Sequence, residues 1–362
     1  MGIKLGNICR FQSGGTPSKG KPEFFNGTIP WITTTALNGG NIGKESAVDW
    51  ISEQAIKESA AKIVPAFSIM VGTRVGVGKV AINTMSMSTS QDIISLLDID
   101  ESMWSKAFLC KFLQAKGTFL NAQARGATIK GIKIDVLSEL ELPKIPIEEQ
   151  QHISQIIDKV KTTIAIRQRQ LQKLDELVKA RFVEMFGDSV KNSKRLPTVL
   201  GETLFRLSNG KALPSNERFP EGIPAYGGNG VSWYTDKILC DFDTIIVGRV
   251  GFQSGNVHLA KAPLWVTDNA MYISSLNTEI CDMRFLCALM EHIDFTRYQD
   301  AGDLKKITQK PFMQMHYPMP SMQAQMQYID FSNQTDKSKV AVQKALDEAQ
   351  LLFDSLMQKY FG

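Results

Sequence analysis

Apolar residues recur every three or four positions through residues 148–187, and neither proline nor glycine interrupts the stretch before Gly187. Two of the slots in this repeat hold Arg167 and Arg181. The apolar positions are Ile153, Ile157, Val160, Ile164, Leu171, Leu174, Val178 and Met185. This heptad spacing predicts one helix with a single apolar seam. At about 1.5 Å per residue the helix would be roughly 55–60 Å long, so its seam needs a partner of similar length.

A second copy of the pattern fills residues 322–362 at a constant offset from the first. Leu171 aligns with Leu346, and Phe186-Gly187 aligns with Phe361-Gly362. The seam positions of the second copy include Val342, Leu346, Ala349, Phe353, Leu356 and Tyr360, whereas residues 332–335 are poor in apolar side chains. We therefore expect the two helices to pair within the chain as an antiparallel coiled coil, with weaker or wetter packing near residues 332–335.

Residues 1–147, called the first head below, show an irregular mixture of element signals. β-Branched and aromatic runs predict strands at residues 29–33, 68–71, 79–82 and 92–97. Helical spacing predicts a short helix at residues 52–61 and an amphipathic helix at residues 105–115, with Phe108, Leu109, Phe112 and Leu113 facing inward. Residues 14–19 form a turn-rich loop. This mixture favours an α+β fold over a doubly wound sheet.

Residues 188–321, called the second head, repeat the plan of the first. Ile246-Val247-Gly248-Arg249-Val250-Gly251 aligns with Val71-Gly72-Thr73-Arg74-Val75-Gly76, and Asn209-Gly210-Lys211 aligns with the turn-rich loop at residues 14–19. The predicted fold class is therefore α+β, with two similar heads separated by two long antiparallel helices in a pseudo-two-fold internal repeat. The predicted domains are residues 1–147, 148–187, 188–321 and 322–362. Antiparallel packing would place the heads at opposite ends of a rigid spacer and Gly362 near the first head.

Length and composition narrow the class of protein. The chain has 362 residues, which suits two domains, and its 43% hydrophobic content is ordinary for a globular protein. A net charge of +4 is compatible with nucleic-acid binding without indicating it. The five cysteines form no C-x-x-C pair, so we expect reduced, mostly buried thiols in a cytoplasmic protein. We expect neither a signal peptide nor a membrane span.

The sequence lacks the motifs of common catalytic sites. Residues 72–79 resemble a phosphate-binding loop only superficially, because Val80 stands where a Ser or Thr would coordinate magnesium. The four histidines, His152, His258, His292 and His316, have no metal-binding spacing, and no G-x-S-x-G elbow is present. These observations predict a binding protein that holds no metal and performs no catalysis.

What remains is a basic, glycine-containing loop in each head. Glycine lets a backbone approach a ligand closely, and an arginine fork can bond a guanine edge or a phosphate. The candidate DNA-binding residues are Gly14, Gly15, Lys19, Thr33, Thr34, Arg74, Lys79, Arg125 and Lys130 in the first head, and Lys211, Arg218, Tyr226, Asn229, Arg249, Lys305 and Lys306 in the second. The alternative interpretation is a set of solvated surface charges on ordinary hairpin turns.

Several of these stretches together resemble the specificity subunits (HsdS) of type I restriction-modification systems. They are Ser13-Gly14-Gly15-Thr16-Pro17-Ser18, Ile29-Pro30-Trp31-Ile32-Thr33, residues 71–82, Pro143 through Gln151, and Phe182-Val183-Glu184-Met185-Phe186-Gly187-Asp188. With the duplication, the resemblance covers essentially the whole chain. The second head is the more divergent copy: it lacks a Trp after Ile223-Pro224 and carries Gly210-Lys211 in place of Gly14-Gly15.

The resemblance implies that each head is a target recognition domain that reads one half of a bipartite DNA site, and that the helices set the spacer between the halves. It implies no activity for the chain alone and no cofactor bound by it. Two modification (methyltransferase) subunits and further restriction subunits would be its partners, with S-adenosylmethionine, ATP and Mg²⁺ bound there. The residues expected on the outward face of the first helix, Lys159, Lys161, Arg169, Lys173 and Lys179, would then contact the modification subunits.

Two other classes stay open at this point. The chain is alternatively the recognition part of a DNA methyltransferase or nuclease whose catalytic residues are not recognised. It is otherwise a coiled-coil scaffold with no DNA role. Binding of S-adenosylmethionine by the isolated chain would favour the first alternative, and the absence of salt-dependent DNA binding would favour the second.

Overall fold

The computed structural model describes residues 2–126, 130–302 and 305–362. The chain forms two compact units: unit 1 comprises Met1–Arg167 and Ala345–Gly362, and unit 2 comprises Gln168–Lys344. The division falls within both long helices, so each helix contributes residues to both units. Because this division does not follow the four domain ranges expected from the sequence, those ranges stay a prediction. Among the described residues, no helix combines the length and apolarity needed to cross a membrane.

Unit 1 begins with the elements of the first head. Its strands are β1 (Ile3–Lys4), β2 (Arg10–Ser13), β3 (Ile29–Ile32), β4 (Asn41–Ile42), β5 (Asp49–Ile51), β6 (Ile63–Val64), β7 (Ile69–Gly72), β8 (Val80–Asn83), β9 (Met87–Thr89), β10 (Ile93–Leu97) and β11 (Glu141–Leu142). Its helices are α1 (Glu53–Glu58), α2 (Lys106–Ala115), α3 (Gly117–Gln123), α4 (Ile134–Ser138) and the start of α5 (Ile147–Phe186). Short 3-10 helices cover Leu5–Asn7, Pro22–Phe25, Thr34–Ala36 and Lys44–Ser46.

Two sheets form the body of the first head. One has the strand order β2-β10-β7-β8-β4 and the other has the order β5-β3-β9-β6. The central strands β7 and β10 are buried along their whole length, because successive side chains enter different cores. Ile69 and Val71 join the core formed with α2, whereas Met70 joins a second core on the opposite face. This explains why both strands are mainly apolar rather than alternating, with Ser95 as the polar exception in β10.

Unit 2 contains the elements of the second head. Its strands are β12 (Thr198–Leu200), β13 (Phe205–Asn209), β14 (Ile223–Gly227), β15 (Gly230–Thr235), β16 (Thr244–Gly248), β17 (Val257–Ala260), β18 (Trp265–Val266), β19 (Ala270–Leu276) and β20 (His316–Pro318). Its helices are α6 (Gly201–Leu204), α7 (Met283–Glu291), α8 (Lys310–Gln314) and the start of α9 (Met322–Phe361), with 3-10 helices at Ser215–Glu217 and Phe295–Tyr298.

The sheet topology confirms the internal repeat. The order β13-β19-β16-β17 in unit 2 reproduces the order β2-β10-β7-β8 in unit 1, and β15-β14-β18 reproduces β5-β3-β9. The parallel pairing of β3 with β9 recurs as the parallel pairing of β14 with β18. The α+β expectation and the expected internal repeat of the head are therefore both confirmed.

The two long helices are antiparallel where they meet in each unit. In unit 1 the Lys161 ammonium lies 5.6 Å from the Phe353 ring centre, and Ile153 shares a core with Phe361. In unit 2 the Lys339 ammonium lies 2.7 Å from the Asp175 carboxylate. The rings of Phe186 and Tyr328 lie 5.8 Å apart in the same unit. As the residue number rises along α5, the number of its partner falls along α9, so the expected antiparallel pairing is confirmed.

A buried glutamine fixes the start of each long helix to its head. The Gln150 side chain accepts the backbone N–H of Ser105 at 2.9 Å and donates to the carbonyls of Met103 and Ile145, both at 3.0 Å. In the second repeat, Gln325 accepts the N–H of Asp282 at 2.9 Å and donates to two carbonyls in the same way. Ser105 and Asp282 are the N-caps of α2 and α7, so each glutamine couples a long helix to a core helix.

The seam positions expected from the heptads are all buried or half-buried. The outward face needs one correction. Lys159, Arg169, Lys173 and Lys179 are exposed, but Lys161 is half-buried and its ammonium donates to the Gln114 side chain at 3.0 Å. Burial and the nearby Lys111 lower the pKa of Lys161. The helix turns this residue toward the core of unit 1, so the prediction that it faces outward is wrong.

Candidate nucleic-acid interface

The first glycine loop, residues 73–79, connects β7 to β8. Its ends are closed by two backbone hydrogen bonds, from Gly72 N–H to the Lys79 carbonyl at 2.8 Å and from Gly78 N–H to the Gly72 carbonyl at 3.0 Å. Thr73 N–H donates to the Asp92 carbonyl at 2.8 Å, and the Thr73 carbonyl accepts the N–H of Ile132 at 2.8 Å. The loop is therefore held from both sides by other segments of the head.

The second glycine loop, residues 249–256, has the same frame. Gly248 N–H donates to the Asn256 carbonyl and Gly255 N–H donates to the Gly248 carbonyl, both at 2.8 Å. Arg249 N–H donates to the Asn269 carbonyl at 2.8 Å, and the Arg249 carbonyl accepts the N–H of Ile307 at 2.9 Å. Both hydrogen bonds have their counterparts at Thr73 in the first loop.

This frame changes one equivalence that the sequence suggested. The Arg-Val-Gly matches align Arg74 with Arg249, but the backbone hydrogen bonds align Thr73 with Arg249 and Arg74 with Val250. The second loop is one residue longer than the first, so the three-letter match is one position out of register. The two arginines therefore start from adjacent, not identical, positions of the repeated frame.

Each arginine nevertheless reaches the equivalent neighbouring turn of its own head. An Nη atom of Arg74 lies 3.8 Å from the carboxylate of Asp92, just before β10. An Nη atom of Arg249 donates to the Asp268 carbonyl at 3.2 Å, just before β19. The side chain of Arg74 is half-exposed, and an ion pair of this length at a surface contributes little stability. Its guanidinium therefore stays available to an external anion.

More cations surround the loop in each head. In the first, Arg74, Arg125 and Lys133 line an open groove of about 650 Å³. A side chain at Gly131 would lie 2.9 Å from the Arg74 side chain, so this glycine leaves room for the arginine. In the second, the Lys305 carbonyl accepts the N–H of Gly251 at 2.8 Å, and the backbones of Lys306 and Val250 form an antiparallel β-bridge. Lys130, Lys305 and Lys306 are exposed.

The polar residues proposed for base contacts lie beside these loops. Thr34 is buried with its methyl group near Gly72, and the hydroxyls of Thr33 and Thr35 are 2.8 Å apart. In unit 2 the turn between β14 and β15 occupies the matching place, since Gly228 packs against Gly248. Tyr226 on β14 is half-buried, whereas Asn229 at the turn is exposed.

Gly14 and Gly15 have structural explanations. A side-chain carbon on Gly14 would meet the Ser90 carbonyl oxygen at 2.2 Å, and one on Gly15 would meet the Ala60 carbonyl oxygen at 2.1 Å. Gly15 is buried and its carbonyl accepts the Trp31 indole N–H at 3.1 Å. These contacts account for both glycines without a ligand.

The second head replaces this arrangement in an unexpected way. Lys211 stands at the position of Gly15, and its carbonyl accepts the indole N–H of Trp265 at 3.0 Å. Trp265 belongs to β18, which is paired with β14, the strand equivalent to that of Trp31. The second head therefore keeps an indole donor, but it comes from the neighbouring strand. The absence of a Trp after Ile223-Pro224 gave no indication of this.

The other candidate cations differ in their availability. Lys19 is exposed in the loop after Gly15, and the aliphatic stem of exposed Lys79 passes over Gly76. Arg218 is already engaged: its Nε and one Nη donate to the Leu213 carbonyl at 2.9 and 2.8 Å, and its guanidinium lies 5.5 Å from the Trp233 ring centre. Within the described residues, no group of histidine, cysteine and acidic side chains has the arrangement of a metal site.

One residue of this region was not among the candidates that the sequence indicated. Phe252 lies at the tip of the second glycine loop with 90% of its surface exposed. The only hint in the sequence is that Phe252 directly follows Gly251, in a loop where most other residues are small or polar.

Comparisons with known proteins agree with this architecture. Residues 2–176 match the family model described as "Type I restriction modification DNA specificity domain". The specificity subunit of the type I restriction enzyme EcoR124I/EcoR124II from Escherichia coli is 32% identical over 165 residues, which cover 44% of this chain and 40% of that protein. The EcoprrI specificity subunit from Escherichia coli is 24% identical over 297 residues, covering 75% of this chain and 72% of that protein.

A solved structure is similar over the whole chain. The S subunit of a type I restriction-modification system from M. genitalium has a TM-score of 0.64 at 18% identity, and the match covers 100% of this chain and 96% of that one. This likeness concerns the fold. The first sequence match spans less than half of its relative, whereas the repeat of heads and helices extends through both units described above. Residues 2–176 therefore match the type I restriction modification DNA specificity domain, and the fold of the whole chain is similar to that of a type I S subunit.

Proposed function

We propose that this chain is the DNA sequence-recognition subunit of a type I restriction-modification complex, with each head reading one half of a bipartite site. The observation that carries the proposal is the repeated loop frame. In both heads the loop after the buried central strand is fixed by the same backbone hydrogen bonds and is flanked by cations, Arg74 and Arg125 in one and Arg249, Lys305 and Lys306 in the other.

The chemistry of these side chains suits duplex DNA. Exposed lysines neutralise phosphates, and an arginine fork can hold a phosphate or the O6 and N7 atoms of a guanine. Because the loops are held at both ends by backbone hydrogen bonds, little ordering entropy is lost when they bind. Two such loops on one chain match a site with two recognised parts.

We further propose that catalysis belongs to partner subunits. Two modification subunits would methylate DNA with S-adenosylmethionine, and restriction subunits would use ATP and Mg²⁺, so that this chain binds no cofactor itself. Support comes from the family and from the absence of catalytic motifs in the sequence. If the isolated chain bound S-adenosylmethionine, the alternative of a methyltransferase with unrecognised catalytic residues would replace this proposal.

The long helices are proposed to set the spacer between the half-sites. Seven residues inserted into each helix at paired positions, after Arg167 in α5 and after Asp347 in α9, would lengthen each by about 10 Å. That length corresponds to roughly three base pairs of B-DNA at 3.4 Å each. The recognised spacer should lengthen by a whole number of base pairs, and an unchanged spacer would show that the helices do not determine it.

The exposed cations of α5, Lys159, Arg169, Lys173 and Lys179, remain our candidates for contact with the modification subunits. Reversal of all four charges to Glu should weaken co-purification of the complex. Lys161→Met serves as the matched control on the same helix, because its ammonium already lies against Gln114 and Phe353. Intact assembly of the fourfold variant would contradict this assignment.

The decisive experiment maps methylated adenines in cells that express the chain with its modification subunits. Wild type should produce one bipartite motif. Arg74→Ala should relax or abolish the first half of the motif alone, and Arg249→Ala the second half alone, because each bidentate contact is worth about 1–3 kcal/mol of base discrimination. Loss of both halves in either variant would show that the heads do not read independently.

Salt dependence of DNA binding by the assembled complex separates phosphate contacts from the scaffold alternative. Lys305→Ala and Lys306→Ala should each reduce the slope of log affinity against log salt by about 1 if each lysine contacts one phosphate. The control is Lys237→Ala, a lysine of the same unit whose ammonium is paired with Glu217. A wild-type complex without salt-dependent DNA binding would favour the scaffold.

A further inference from the structure

The tip of the second glycine loop presents an aromatic side chain to solvent. Phe252 and Gln253 occupy the corners of a four-residue turn that is closed by Ser254 N–H donating to the Gly251 carbonyl at 3.0 Å. No other large apolar side chain of the described residues is as exposed as Phe252, at 90%. Such exposure means that the phenyl ring makes almost no packing contact within the chain.

The turn beneath this ring is well anchored. Gly251 N–H donates to the Lys305 carbonyl and Gly255 N–H to the Gly248 carbonyl, both at 2.8 Å. Ser254 is fully buried, and its carbonyl accepts the Gln299 side-chain amide at 2.7 Å. The exposure of Phe252 therefore results from a fixed backbone rather than from a frayed loop, so the ring is held in place where a ligand could meet it.

The surroundings indicate the ligand. Arg249 belongs to the same loop, and Lys305 and Lys306 are hydrogen-bonded or paired to it. An aromatic ring on a loop that carries one arginine and is joined through its backbone to two lysines suits a polyanion that also offers flat apolar surfaces, as DNA does. The first head repeats the combination with a smaller residue: Val75 follows Arg74 at the tip of the shorter loop and is 58% exposed.

We propose that Phe252 is a base-contacting residue of the second head, with Val75 as its smaller counterpart in the first. A phenyl ring can pack on a thymine methyl group in the major groove, or it can enter between two base pairs and unstack them. Either mode adds sequence preference at one position of the second half-site. This inference rests on the proposed function, since it requires that the heads bind DNA.

The test uses the complete complex in cells and compares methylation motifs of wild type, Phe252→Ala, Phe252→Trp and Phe242→Ala. Phe252→Ala should lower methylation of wild-type sites on the order of tenfold, or relax one position of the second half-site, while the first half-site stays unchanged. Phe252→Trp should retain the wild-type motif. Phe242, which is 42% exposed at the opposite end of strand β16, is the control and should change nothing.

Binding assays with duplexes carrying the wild-type motif identify the mode. Replacement of thymine by deoxyuridine in the second half-site removes the methyl group, and 2-aminopurine in the same half-site reports unstacking. A methyl contact predicts that deoxyuridine weakens wild type but not Phe252→Ala; insertion predicts a 2-aminopurine signal that Phe252→Ala loses.

The outcomes separate the two levels of the proposal. If wild type yields a bipartite motif and Phe252→Ala keeps both that motif and the wild-type methylation level, the role of Phe252 is refuted while the proposed function stands. If wild type yields no motif at all and the complex binds no DNA, the proposed function itself fails. Equal slopes of affinity against salt for wild type and Phe252→Ala are expected, because the substitution removes no charge.

Discussion

The ring of Phe361 at the end of α9 lies 5.1 Å from the ring of Phe108 in α2. In unit 2 the ring of Phe186 at the end of α5 lies 5.1 Å from the ring of Phe285 in α7. Phe186 and Phe361 are equivalent in the sequence repeat, as are Phe108 and Phe285. The core of each unit is therefore completed by the end of a long helix, and in each case it is the helix that does not directly follow the head of that unit.

We expect Phe361→Ala to destabilise unit 1 by about 3–5 kcal/mol, because truncation of a buried phenylalanine leaves a cavity. Hydrogen exchange read by peptide should quicken in α2 and not in α7. Phe186→Ala should give the reverse pattern. Leu351→Ala, at a position that is 72% exposed in α9, is the control and should leave both helices protected. Equal effects of Phe361→Ala on both units would contradict the assignment of this residue to one core.

Gln150→Ala should cost about 1–3 kcal/mol in the free energy of unfolding, because it leaves the Ser105 N–H and two carbonyls without their partner. The neighbouring exposed Gln151 provides a control at the same place in the helix, and Gln151→Ala should change stability by less than about 0.5 kcal/mol. Denaturant unfolding of the two variants tests this. Equal stability of both would show that the buried hydrogen bonds contribute nothing net.

Gly15→Ala should destabilise the first head by about 1–3 kcal/mol or more, because the new methyl group would meet the Ala60 carbonyl oxygen at 2.1 Å. Gly20→Ala is the matched control, since the nearest atom to its methyl group would be the Ser18 hydroxyl at 3.6 Å. Thermal unfolding should separate the two variants. If Gly15→Ala folded normally and lost only DNA binding, the glycine would serve ligand approach rather than packing.

The thiols should be unreactive in the folded chain at pH 8. Burial raises the pKa of Cys9 and Cys281 to about 12 and that of Cys110 and Cys240 to about 11, and it raises the pKa of Cys287 above its usual range. Thiols with raised pKa stay protonated at pH 8, and the thiolate is the reactive form. A disulfide reagent should therefore modify all five cysteines rapidly only after unfolding in guanidinium. Fast modification of the native chain would contradict these shifts.

The long helices and the internal repeat could be predicted from the sequence because both appear in the spacing of its apolar residues. The apolar positions from Ile153 to Met185 fix a helix, and the constant offset to residues 322–362 fixes its duplicate. The mainly apolar runs at β7 and β10 likewise identify central strands. These patterns depend only on which side chains are buried, so they can be recognised without knowing which residues those side chains contact.

The details of the site depend on contacts that spacing does not encode. The one-residue difference in loop length moves Arg249 to the position of Thr73, which only the backbone hydrogen bonds reveal. Trp265 replaces the indole of Trp31 from an adjacent strand, so alignment along the chain misses it. Lys161 is drawn inward by Gln114, a residue of α2 that helical periodicity in α5 does not report.

The crossed aromatic contacts also determine what half of this chain would do alone. A fragment that ends at Gly187 would carry a Phe186 with no α7 to receive it, and a Phe108 site with no Phe361 to fill it. Because the two repeats place equivalent residues on both sides of these contacts, a second copy of the fragment offers what the first lacks. One head and one helix are thus a self-complementary building block, and two identical copies would form a symmetric dimer. The proposed function then predicts that the DNA site of this dimer is a palindrome.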